Sequence, residues 1–140
     1  MFTVCLTTSF KQQILDAIHD INTDTIKLAL YTSTSTIGAA TTVYTTTDEV
    51  SGSGYTAGGI TLTGGTVWTD GTTVGFTFDN PTFGAMTVSG IRAALFYNSS
   101  KSNKAIGVIG FGSDLTCTAQ SLEIQLPLST ATTGLFRFQN

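Results

Sequence analysis

Charge is what this sequence has least of. Asp, Glu, Lys and Arg make up 11% of its 140 residues, against about 25% in an ordinary globular domain. Lysine and glutamate, the usual residues of exposed helices, are scarce. The six basic residues stand singly in a chain of net charge −3, which leaves no electrostatic footprint for nucleic acid. With one histidine, His19, no second imidazole exists to complete a zinc site, and no serine or cysteine lies in a nucleophile-elbow sequence. No run approaches the ~20 apolar residues that span a membrane. The opening MFTVCLTTSFK has no basic lead and too short an apolar run for a signal peptide, so synthesis in a cytoplasm is expected. The cysteines Cys5 and Cys117 are expected there to be reduced and buried, as small hydrophobes; a disulfide between them is the alternative.

What replaces charge is threonine, 28 residues, and glycine, 15. Threonine is β-branched and suits a pleated, half-wet surface, while glycine supplies turns, so the composition reads as all-β. The stretch that organises the chain is Gly90–Gly112, in which Ile91–Tyr97 and Ala105–Phe111 flank a polar segment, as in a long-looped hairpin. Neither run alternates cleanly, so both are expected to lie centrally in a sheet, covered on both faces. One helix is expected. Ser9 and Gln12 fit a capping box, Phe10, Ile14, Ile18 and Ile21 mark an apolar stripe, and Asn22–Asp24 stops it. Further strands are expected at Thr25–Thr32, Gly59–Thr63, Thr66–Thr69, Thr73–Asp79, Leu122–Leu126 and Leu135–Phe138, with Asp70-Gly71 as a hairpin turn. The expected fold is an antiparallel β-sandwich, jelly-roll-like, of about eight to ten short strands with one short N-terminal α-helix. Residues 1–8 read as an arm or edge strand, and 9–140 as one domain with a long Gly/Ser/Thr-rich loop at 33–59.

Chemistry is thin. His19, next to Ile18 on the expected helix, reads as a surface residue or end-of-helix charge. The acidic residues fall mainly at helix ends and turns, where Asp bonds local backbone amides. Asp48-Glu49 lacks the oxygen-rich loop of a calcium site, and SGSGYTAGG lacks the lysine of a phosphate loop. No catalytic residue, metal or cofactor is therefore expected. A lightly charged exterior suits a protein that lives against other protein, although hydroxyls also solvate a soluble β-domain. Trp68 is expected to fill the core. Tyr44 and Tyr55, in the long segment, are the candidate contacts with a partner, together with Val43 beside them and Phe2 and Val4 in the arm; exposed aromatics are also what a sugar-stacking platform needs.

Four stretches carry a resemblance: SFKQQILDAIHDINTDTIKLALYTS at 9–33, EVSGSGYTAGG at 49–59, IRAALFYNSSKSNKAIGVIGFGSD at 91–114 and LEIQLPLSTATTGLFRF at 122–138. Together they resemble a family of small virion structural proteins of tailed bacteriophages. The resemblance implies a structural role without catalytic residues. Read through it, the expected role is a capsid decoration (cement) protein on the outside of the head lattice, made in the host cytoplasm. The expected partners are the major capsid protein and further copies of this chain, a trimer being the expected oligomer. A head–tail connector or tail component, and a carbohydrate-binding adhesin module, stay open as alternatives. Placement on the head is an inference added to the resemblance.

Overall fold

A computed structural model describes residues 3–139. Eight strands form two antiparallel sheets. The larger contains β1 (Thr3–Leu6), β2 (Ile26–Tyr31), β3 (Ile60–Thr61), β6 (Thr82–Asn98) and β7 (Lys104–Glu123), in the order β1-β7-β6-β2-β3. The smaller contains β4 (Thr66–Asp70), β5 (Thr73–Thr77) and β8 (Phe136–Phe138), in the order β4-β5-β8. One helix, α1 (Thr8–Leu15), precedes β2. The expected all-β sandwich with a single N-terminal helix is the fold that forms.

The organising hairpin is longer than its apolar runs. β6 and β7 pair from Asn98↔Lys104 out to Thr82↔Glu123, with several register shifts, so the two expected runs extend into long strands, β6 back to Thr82 and β7 on to Glu123. Leu122–Leu126 is not a strand of its own. β7 ends at Glu123, and the Ile124 amide makes one further bond beside the hairpin, to the Pro81 carbonyl, before the chain turns away. The expected central position holds, with β7 and β6 second and third of five. Period-two alternation then gives each strand two buried faces. Leu28, Leu30, Phe96 and Ile109 point into the space between the sheets, while Ala29, Tyr31, Leu95 and Val108 form a second cluster on the far face.

Between the sheets the core is aromatic. Phe76 lies 5.5 Å from Phe10 and 5.0 Å from Phe136, and Phe96 meets Phe136 edge-on at 5.1 Å and an 87° interplanar angle. Such tilted and edge-on pairs add about 0.5–1.5 kcal/mol each beyond the area they bury. Phe10 is the one fully buried residue of α1, which pins the helix to this cluster.

The helix is shorter than its stripe suggests. Thr7, not Ser9, caps it, its Oγ1 accepting from the Phe10 amide at 3.2 Å. It stops after Leu15 because the Ile18 amide bonds the Gln13 carbonyl and the Ala17 amide bonds the Ile14 carbonyl. Those two bonds are a Schellman closure, which requires a left-handed residue between them. Ala17 takes it, at φ 55°. Ile18 and Ile21 keep the apolar spacing, but they belong to the turn that returns the chain to β2.

Trp68 is not in the core. It pairs with Gly75, whose neighbour Phe76 points inward, so the indole lies on the outer face of the small sheet. Cβ atoms placed on Gly75 and Gly134 would collide with its ring. The glycines therefore form the slot that holds it, and its buried Nε1 has no hydrogen-bond partner among the described residues.

Candidate functional site

Of the expected contact residues, Phe2 lies outside the described residues. Val4 and Val43 are exposed, at 38% and 45%. Tyr44 and Tyr55 are turned inward, Tyr44 against the far-face cluster of the large sheet and Tyr55 against the cluster between the sheets. Tyr44 stacks on Tyr97 with ring centroids 4.6 Å apart. Its hydroxyl donates to Glu49 Oε2 at 2.7 Å, and that of Tyr55 donates to Glu49 Oε1 at 2.6 Å. The Gly58 amide donates to the same Oε1 at 2.7 Å, and the Tyr55 hydroxyl also accepts from the Leu30 amide at 2.9 Å. Tyr31 and Tyr97 complete the set, donating to the Thr45 and Gly58 carbonyls at 2.6 and 2.7 Å. Burial, with the Glu49 carboxylate close by, holds all four tyrosines above their ordinary range and pushes Tyr97 up to about 12. These phenols act as neutral donors that lace the segment to β2 and β6, not as an outward platform.

A second polar cluster surrounds His19, which is buried, against the expectation of a surface residue. Asn98 Nδ2 donates to Asp24 Oδ2 at 2.7 Å and lies 3.0 Å from His19 Nδ1. Since Nδ2 donates, Nδ1 accepts, and the ring proton sits on Nε2, 2.8 Å from Gln13 Oε1. Desolvation outweighs the nearby Asp24 charge and lowers the His19 pKa, so the ring is neutral at pH 7. Burial works against the Asp24 charge too, but the Asp20 amide, the Asn98 side chain and Lys101, 3.6 Å away, prevail and lower its pKa. Both imidazole nitrogens are thus occupied by structural partners. The cluster ties the α1–β2 turn to the β6–β7 turn. Among the described residues no three metal-ligating side chains converge, and no helix is long and apolar enough to cross a membrane. Cys5, half-buried, and Cys117, buried, are unpaired.

What remains open to a partner lies elsewhere. On β5 and β8, Phe76 and Phe136 are buried, yet Val74 and Phe138, two residues along the same face, are 41% and 39% exposed. The apolar face of the small sheet therefore continues past its cover, and Val67 on β4 shares it. Beside it, a groove of about 510 Å³ runs between β1 and β8, the outer strands of the two sheets on that side. The expected arm is, over Thr3–Leu6, this edge strand, paired with Gly107–Gly110. Sequence reasoning had no signal for the groove, since Val4–Leu6 and Leu135–Arg137 meet only through the sandwich. No protein-family model, curated protein or solved structure matches this chain.

Proposed function

We propose that this protein is a capsid decoration protein of a tailed bacteriophage, bound to the outer surface of the head lattice and bracing the shell. The observation that carries the reading is an uncovered apolar sheet face, Val67, Val74 and Phe138, beside two open strand edges. It lies on a chain that has hydroxyls where most soluble proteins carry charge. Uncovered apolar face and unpaired strands are surfaces that proteins normally bury or protect, and a lattice neighbour buries them. The resemblance of four stretches to small virion proteins points the same way. The adhesin alternative rested on outward aromatics, and Tyr44 and Tyr55 are engaged with Glu49. A connector or tail component would use the same surfaces in few copies.

Copy number decides between them. Quantitative mass spectrometry of purified particles, against the major capsid protein, is expected to give a large lattice-compatible fraction. A handful of copies moves the protein to the neck or tail, and absence from the particle overturns the reading.

A further inference from the structure

We propose that the groove between β1 and β8 takes an extended, acidic segment of a neighbouring protein, added as a strand to the free edge of β1. The inference rests on this chain being one that binds protein, not on where in a particle it does so.

The edge is chemically unfinished. In an antiparallel ladder alternate residues bond to the partner strand and the others face away. The Thr7 amide donates to Ile106 O at 2.9 Å, and the register places Cys5 in the same phase opposite Val108. Val4 and Leu6 therefore aim their amides and carbonyls away from β7, into the groove. The free edge ends where the Thr8 amide is taken by Ala39 O at 2.8 Å. Across the groove stands β8, whose one strand partner among the described residues is β5. The lining between them includes Leu135 and Phe136, both nearly inaccessible, so only a thin apolar surface shows.

Charge selects the occupant. Two of the six basic residues of this acidic chain, Lys11 and Arg137, line the groove, and no carboxylate is among the described residues that do. Arg137 spends one nitrogen on the Ala131 carbonyl at 2.6 Å. Lys11, exposed on α1, makes no ion pair among the described residues. A carboxylate on an added strand finds two cations there, while a basic segment is repelled. Main-chain bonds supply affinity in strand addition, and alternate side chains supply selectivity. Three edge residues span about 10 Å, so a segment of about six residues covers the groove with a margin at each end.

The test uses the full chain, labelled with 15N, and a blocked hexapeptide alternating valine and threonine around a central aspartate. The expected result is saturable shifts of the Val4, Leu6 and Arg137 amides, with the lysine-centred peptide weaker by at least about threefold. Lys11→Glu, an exposed change that leaves the core untouched, is expected to weaken the acidic peptide by about three- to tenfold and narrow or reverse the preference. Val4→Pro, which removes an outward donor at an edge position where proline is tolerated, is expected to abolish binding. If Val4→Pro does not fold, the Lys11 variant decides. No shift at these amides, equal binding of both peptides, or shifts on raising protein concentration without peptide, which would mean a second copy, each overturns the proposal. Copy number in particles is read independently, so the two inferences fail separately.

Discussion

Glu49 is the residue on which the cover of the large sheet depends, and its replacement tests that account. Its carboxylate accepts from the Tyr44 and Tyr55 hydroxyls and the Gly58 amide, all at 2.6–2.7 Å. Hydrogen bonds to a charged group are worth about 1.5–3 kcal/mol each, and less where water competes. Two replacements separate charge from connectivity. In Glu49→Gln, Oε1 must stay oxygen, because it accepts twice, so the new amide nitrogen faces Tyr44. That hydroxyl can rotate to accept, every group keeps a partner, and the expected cost is the lost charge assistance, about 1 kcal/mol. In Glu49→Ala all three donors lose their acceptor. Tyr55 is held in place by the Leu30 amide and stacks near Phe83, so it cannot swing out to water cheaply. The expected cost is about 3–5 kcal/mol, or a fall in Tm of about 10–15 °C for a chain of this size. Urea unfolding with unchanged m-value measures both, and amide exchange across residues 44–59 reports whether the segment loosens before the core. A Glu49→Ala cost below about 1 kcal/mol, with exchange unchanged, refutes the view that this carboxylate laces the cover down.

Three further outcomes follow from individual backbone and side-chain positions. Ala17 closes the helix with φ 55°, so Ala17→Gly is expected to stabilise the protein by about 0.5–1 kcal/mol in chemical denaturation, there being no Cβ to strain. Gly59 has φ 71°, and a Cβ there would stand 1.7 Å from Leu28 O, so Gly59→Ala is expected to cost more than about 3 kcal/mol or to prevent folding, read by circular dichroism and yield. The His19 pKa is lowered on folding. Its contribution to stability is therefore complete above the unfolded value of about 6.5 and is lost as pH falls through the folded pKa. Unfolding free energies measured down from pH 7 are expected to decline over that span in the wild type. In His19→Gln, which does not titrate, that part of the decline is expected to vanish; an unchanged profile rules out the neutral-ring assignment.

The periodicity of the sequence carried the central hairpin, because apolar residues on both faces demand cover wherever the strands end up. The helix start was legible to within two residues, but not its end. Ile18 and Ile21 continue a helical spacing, and only the left-handed turn at Ala17 shows that they bury by another route. The long segment was the largest misreading. Threonine, glycine and serine describe a loop, and nothing local distinguishes a loop that reaches outward from one that is folded back. The difference is made by Glu49, a carboxylate that meets Tyr44 and Tyr55 only once β2 and β6 have placed Leu30 and Tyr97 beside them. Trp68 was misplaced for a related reason: its slot is built from Gly75 and Gly134, and a glycine announces no contact in sequence.

Composition and spacing alone determined the class of fold, the two central strands and the poverty of charge, since these follow from β-propensity and from the energy of burying apolar side chains at a period of two. Tertiary structure alone decided which surfaces are left uncovered. The first strand's unpaired edge, the uncovered Val74 and Phe138 and the cations Lys11 and Arg137 lie more than a hundred residues apart at the extremes. Exposure and charge proximity are properties of packed surfaces, so they come into being only when the two sheets close on one another.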